Sequence, residues 1–142
     1  MKVIILAAGI GNRLGAYSND KPKSLLEFKG KSLLKRHIEI LSKQRVDEII
    51  IITGYKSKMI VEHLSDASIP IRFIFNEHYT EGSIISLGCA HEILTSMSDF
   101  ILMDADVLYD KEILKRLFET KNKNCFLLDR NFEAGDEPVK IC

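Results

Sequence analysis

Long apolar runs are missing from this chain. The N-terminal stretch from Val3 to Ala8 stops at Gly9, too short for the apolar core of a signal peptide or for a membrane span. The cytoplasm is therefore the expected location, with no membrane insertion. Net charge is missing as well, because Lys+Arg 20 and Asp+Glu 20 cancel to +0. No overall field draws the protein to nucleic acid or to an acidic membrane. Cysteine is sparse: Cys89, Cys125 and Cys142 form an odd set without C-x-x-C spacing. That argues against a disulfide framework or a zinc site and reads as reduced packing residues. Repeats, low-complexity tracts and linkers are absent from the 142 residues, so a single domain (1–142) is expected.

The segments that remain alternate between two periods. Val3 to Ala8, Glu48 to Thr53, Ile71 to Phe75, Phe100 to Met103 and Cys125 to Leu128 read as strands, with the start of another at Val139 to Cys142. Between them lie helical patterns: one capped by Ser32 and ending near Arg45, one over Ser57 to Leu64, one capped by Ser83 and running past Leu94, and one capped by Asp110. Continuous apolar strands alternating with helices predict an α/β domain with a mainly parallel sheet.

The chemistry concentrates behind the first strand, where Gly9-Ile10-Gly11 is followed by Arg13 and Lys23. Glycines let a backbone approach a polyphosphate and turn its N–H groups toward it. Arginine and lysine supply the positive charge that such a ligand needs. Two commoner phosphate loops do not fit. Leu14 occupies the third glycine position of a dinucleotide fingerprint, and Leu25 stands where a Walker loop ending in Gly30-Lys31-Ser32 would open. The Phe100 strand runs into Asp104-Ala105-Asp106, and ligands of open α/β sheets sit beyond such strand ends. Asp104 and Asp106 either hold Mg²⁺ together with substrate phosphates or hydrogen-bond their own turn.

This set suits nucleotidyl transfer. An acceptor phosphate is already charged at neutral pH, so the lack of a nucleophile–base pair is no obstacle. Arg13 is placed to neutralise departing pyrophosphate and Lys23 to neutralise the α-phosphate or the incoming phosphate. His37, His63 and His91 fall on helices and read as surface or boundary residues. His78, in the polar loop 76–82, is a minor ligand candidate. Lys35, Arg36, Lys43 and Arg45 read as a solvated helix face.

Leu6-Ala7-Ala8-Gly9-Ile10-Gly11-Asn12-Arg13-Leu14, followed by Lys21-Pro22-Lys23-Ser24-Leu25-Leu26, resembles the signature of the nucleotidyltransferases that make nucleotide sugars and CDP-alcohols. The resemblance implies a Rossmann-like three-layer α/β/α fold. It places Leu6, Ala7, Ala8 and Gly9 at the base, Gly11, Asn12 and Arg13 on the triphosphate, and Lys23 as a catalytic lysine beside Arg13. Asp106 corresponds to the family's first metal aspartate, whereas Asp104 stands at a variable position.

Asn76-Glu77-His78-Tyr79, Ser83-Ile84-Ile85-Ser86-Leu87 and Leu128-Asp129-Arg130-Asn131-Phe132 are similar to the CTP:phosphocholine and phosphonate cytidylyltransferase branch. By that resemblance CTP is the nucleotide, Asn76, Gly82 and Ser83 lie near its base or ribose, and Lys140 lies near the acceptor phosphate. Gly82 and Ile85 stand where relatives often carry Asn and Tyr. With no tryptophan and an aliphatic residue at 85, no aromatic cage for choline is evident. Asp129, Glu133, Asp136 and Glu137 either meet an amine or form a solvated acidic loop. The acceptor is therefore a phospho-alcohol, a phosphonate or, with UTP or dTTP, a sugar phosphate. Members of the family are longer, so the chain is expected to lack the C-terminal part that holds the second metal aspartate. A last strand at Val139 to Cys142 would leave an open sheet edge, which invites pairing with another copy as a homodimer.

Overall fold

Six residues open the structure as a buried strand. β1 (Lys2–Ala7) places Val3, Ile4 and Ile5 wholly out of solvent, as a strand flanked on both sides must be. The structure, a computed structural model, describes residues 1–11, 21–96 and 98–127. They fall into two compact units, Met1–Leu108 and Tyr109–Cys142.

In the first unit β1 pairs in parallel with β4 (Glu48–Thr53) and β6 (Phe100–Asp104), and β4 pairs in parallel with β5 (Ile71–Phe75). The sheet order is β5-β4-β1-β6. The mainly parallel α/β sheet expected from the strand pattern is thus present. Four consecutive isoleucines, Ile49 to Ile52, are fully buried in β4, and each buried isoleucine contributes roughly 1.5–3 kcal/mol of transfer free energy. Ile4, Ile50 and Ile52 pack with Ala90 and Ile93 on one face.

α1 (Leu33–Leu41) begins as expected, with the Ser32 Oγ accepting the Lys35 N–H at 3.1 Å. It buries Leu34, His37, Ile38 and Leu41, a stripe spaced three and four residues apart. α2 spans Ser57–His63. Before α1, the antiparallel pair β2 (Glu27–Phe28) and β3 (Lys31–Ser32) forms a hairpin. Its two-residue turn puts Lys29 and Gly30 at φ 49 and 72, the left-handed pair that such a turn requires. Gly30 is therefore turn chemistry, in keeping with the rejection of a Walker loop.

Several local expectations need correction. The helix expected to run from Ser83 past Leu94 is two pieces, α3 (Ser83–Gly88) and α4 (His91–Leu94), and Gly82 rather than Ser83 is its cap. Ser86, Ala90 and Ile93 form the buried stripe, so Ile84 points outward at 71% exposure. Gly88 weakens the helix where it breaks. Cys125 to Leu127 has no strand pairing, and Cys125 is exposed rather than packed. The strand expected over Val139 to Cys142 lies outside the described residues, as do Leu128 and Cys142. In the second unit α5 (Lys111–Glu119) is capped as expected, Asp110 accepting the Glu112 N–H at 2.9 Å. Among the described residues no helix is long and apolar enough to cross a membrane.

Candidate active site

The carboxyl end of β1 is held between its neighbours by backbone hydrogen bonds. The Leu6 carbonyl accepts the Ala105 N–H at 3.0 Å, and the Ala8 carbonyl accepts the Tyr55 N–H at 3.0 Å. Ala7 and Ala8 are buried, while Gly9 is exposed. A Cβ added at Gly9 would meet nothing within 4 Å, so the loop leaves open space at that point. Gly11 differs. It sits at φ +82, and a Cβ there would lie 2.7 Å from the Lys23 Cγ and 2.8 Å from its Cε.

The stem of Lys23 therefore lies directly on Gly11. Lys23 opens a short 3-10 turn (Lys23–Leu25) set by Pro22, and its Nζ reaches 3.8 Å from the Asp106 Oδ2. Both groups keep solvent contact, at 24% and 44% exposure. Such a pair is worth roughly 0–1 kcal/mol, too little to be the reason for the arrangement. Three sequence candidates from separate segments, Gly11, Lys23 and Asp106, thus meet at one place.

Asp104 ends β6 opposite Leu6. Burial, and then the nearby Asp106 carboxylate, push its carboxyl up from the ordinary carboxylate range. Because the residue as a whole is exposed, water tempers both effects. The two acids are close enough to repel, and one of them already draws an ammonium group. Among the described residues no cluster of three or more His, Cys, Asp or Glu could hold a metal.

A second segment carries Asn76, Gly82 and Ser83. Asn76 is buried at 2% exposure, and both ends of its carboxamide are engaged. Nδ2 donates to the Ser86 Oγ at 3.0 Å, and Oδ1 accepts the His78 N–H at 2.9 Å. Its own N–H donates to the Thr53 carbonyl at 2.8 Å. The side chain is turned inward, where it braces the 76–82 loop. Gly82 (φ 114) and Ser83 are exposed at the start of α3. Tyr79 closes over the end of β4, since a Cβ at Gly54 would lie 2.4 Å from the Tyr79 Cβ and 2.8 Å from the Ala8 carbonyl. The His78 Nδ1 pairs with the Glu81 carboxylate at 2.8 Å. Asn12, Arg13 and Lys140 lie outside the described residues, as do Asp129, Glu133, Asp136 and Glu137.

Two residues near this site were not read as part of it from the sequence. Gly54 gave no signal beyond ending a strand. His37 did, because the spacing that puts Leu34, Ile38 and Leu41 inside also puts position 37 inside. It is 2% exposed, not a surface residue, and its Nε2 lies 2.8 Å from the Val107 carbonyl. Burial lowers its pKa, against the opposing influence of that hydrogen bond and of Asp106.

The chain is similar to known proteins along most of its length. A CTP:phosphoglutamine cytidylyltransferase from Campylobacter jejuni is 27% identical over 136 residues, covering 93% of this chain and 54% of the relative. A UTP–glucose-1-phosphate uridylyltransferase from Haloferax volcanii is 30% identical over 138 residues, covering 91% and 54%. The solved CTP:phosphocholine cytidylyltransferase of Streptococcus pneumoniae superposes with a TM-score of 0.66 at 33% identity, over 74% of this chain and 44% of that one. The chain thus spans about half the length of the proteins it resembles. The MobA-like NTP transferase domain matches residues 3–139, almost the whole sequence, and with the glycine loop, Lys23 and the acid turn assembled on one sheet edge, the chain belongs to that nucleotidyltransferase family.

Proposed function

We propose that this chain carries the nucleotide-handling part of an enzyme that moves a cytidylyl group from CTP to a phosphate- or phosphonate-bearing alcohol. The observation that carries the reading is the meeting of Gly11, Lys23 and Asp106. An oxygen of the acceptor phosphate attacks the α-phosphorus, the bond to the β-phosphate oxygen breaks, and pyrophosphate leaves with the electron pair. The attacking group is already an anion, with a charge of about −1.5 to −2 near neutral pH. No general base is needed, and catalysis reduces to alignment and charge neutralisation.

Each group then has a task. The Leu6–Gly9 backbone receives the base, and Gly9 leaves the room into which the nucleotide fits. Gly11 and Asn12 hold the triphosphate. Lys23, whose stem is steadied by Gly11, neutralises the α-phosphate as charge builds there, and Arg13 neutralises the departing pyrophosphate. Gly82 and Ser83 lie along the base or ribose on a loop braced by Asn76. Lys140 takes the acceptor phosphate.

The acid pair fits a divalent cation, since mutually repelling carboxylates beside a captured ammonium form an anionic donor set. Asp104 and Asp106 would hold Mg²⁺, with substrate phosphates completing its oxygen shell. When bound, that ion supplies charge neutralisation at the phosphate oxygens.

Two cytidylyltransferase relatives support CTP. The Haloferax relative supports a second reading, a sugar-1-phosphate nucleotidyltransferase using UTP or dTTP. A third reading, a nucleotide-binding module without catalysis, draws on the partial span of the relatives. Ile85, aliphatic and partly exposed, offers choline no aromatic face, so phosphocholine is one acceptor among several.

A thermal-shift panel of CTP, UTP, dTTP, ATP and GTP, with and without Mg²⁺, tests this. CTP at about a hundred times its dissociation constant is expected to stabilise the chain by roughly 2.7 kcal/mol, and more strongly with Mg²⁺. A shift with UTP or dTTP alone moves the reading to sugar phosphates. No shift with any nucleotide overturns it. Pyrophosphate release across a panel of phospho-acceptors then separates an enzyme from a binding module.

A further inference from the structure

The turn that carries Asp106 is tied down on both sides. Before it, the Ala105 N–H donates to the Leu6 carbonyl at 3.0 Å, which fixes the turn to β1. After it, the Val107 carbonyl lies 2.8 Å from the Nε2 of His37. His37 comes from α1, an element with no other part in the site. That helix is rigidly seated, with Leu34 and Leu41 wholly buried and Ser32 capping its first turn. An imidazole buried to 2% exposure is a costly choice at a position where its neighbours on the stripe are leucine and isoleucine. A leucine would fill the same space without reaching the Val107 carbonyl.

We propose that His37 is a positioning residue for the metal–nucleotide site: its Nε2–H holds the Val107 carbonyl and thereby sets the aim of the Asp106 carboxylate. The inference rests on the nucleotidyl-transfer reading, which makes Asp106 a metal-holding group. Asp106 lies between the two anchors, and its own side chain is half-exposed, with a long contact of 3.8 Å to Lys23. So long a contact fixes the carboxylate weakly, and the backbone anchored on either side supplies the rest of its orientation. Partners one step behind a metal-holding carboxylate commonly matter for affinity by roughly ten- to a hundredfold.

The test compares two replacements of similar size, His37→Gln, which retains an N–H donor, and His37→Met, which has none. Mn²⁺ is the probe, titrated in the presence of CTP without acceptor, and free Mn²⁺ is read by electron paramagnetic resonance. His37→Met is expected to weaken Mn²⁺ binding by roughly tenfold or more, and His37→Gln to stay near the parent value. Asp106→Asn serves as the reference that loses the ion.

If His37→Met binds Mn²⁺ like the parent while Asp106→Asn does not, His37 only fills space and the inference is overturned, leaving the nucleotidyl-transfer reading intact. If the parent and Asp106→Asn bind Mn²⁺ equally, the reading beneath it fails and takes the inference with it. Should His37→Met not fold, the nitrogen-15 spectrum of the parent decides. A proton on Nε2 supports the bond to Val107, and a proton on Nδ1 alone overturns it.

Discussion

At the scale of single residues, the two glycines of the loop stand in different surroundings. Gly11 yields its space to the Lys23 stem, whereas Gly9 faces open room. Gly11→Ala is expected to destabilise the chain by about 1–2 kcal/mol, the cost of an L-residue in the left-handed region, and to push Lys23 away from Asp106. Gly9→Ala is expected to melt like the parent but to bind CTP more weakly. Thermal melts and CTP titrations of both variants check the contrast, and equal behaviour would mean that the loop has no such division. Lys23→Ala removes the charge itself. Its melt is expected to shift by no more than about 1 kcal/mol, while kcat/KM falls by roughly a hundred- to a thousandfold. Pyrophosphate release measures that loss, and an unchanged rate would sink the mechanism.

At the scale of elements, Ser32 joins two helices. Its Oγ accepts the Lys35 N–H at the start of α1 and lies 2.7 Å from the Nε2 of His63 on α2. Ser32→Ala therefore removes a cap and strips His63 of its hydroxyl partner. The cap alone is worth about 1 kcal/mol, so a loss above that is expected in urea melts. A loss of a few tenths would mean that the serine is incidental to both helices. α3 and α4 teach the opposite lesson. Their apolar residues look like one continuous helix, yet Gly88 and the buried Ala90 divide it. Packing against Ile4, Ile50 and Ile52 selects the Ser86, Ala90 and Ile93 stripe, and the larger Ile84 is left in solvent.

At the scale of the whole molecule, acid sensitivity is expected to come from two histidines. Burial, and then the neighbouring Lys35, lower the pKa of His63, Asp66 and Glu27 opposing and Lys21 adding to the fall. His37 is lowered mainly by burial. A histidine with a depressed folded-state pKa binds its proton more readily when unfolded. Its contribution is complete above the unfolded value of about 6.5 and is lost as pH falls through the lower folded value. Stability is therefore expected to drop from about pH 6.5 downward. His63→Gln is expected to flatten part of that slope, because its side chain does not titrate. Urea melts at about pH 7.5 and about pH 5.5 measure it, and parallel losses in parent and variant would assign the sensitivity elsewhere.

Much of the first unit was legible because its signals are local. Four isoleucines in a row, a serine ahead of a helical stripe, and glycines between a strand and two basic residues each declare a structure within a few positions. The β4 and β5 boundaries, Glu48–Thr53 and Ile71–Phe75, follow from such signals alone. So does the family, since its signature is a short continuous string. Other features required the fold, because they depend on which distant segments become neighbours. Sequence carried no sign that Ser86 and His78 would hold the Asn76 carboxamide inward. Sequence read His37 as peripheral, but a carbonyl seventy residues away makes it part of the frame around Asp106. Residue types and their spacing determined the strands, most of the helices and the glycine loop with its basic residues. The tertiary structure alone decided which polar groups stay exposed at the sheet edge and which are spent in bracing it, because a buried donor or acceptor must find its partner wherever the chain brings one.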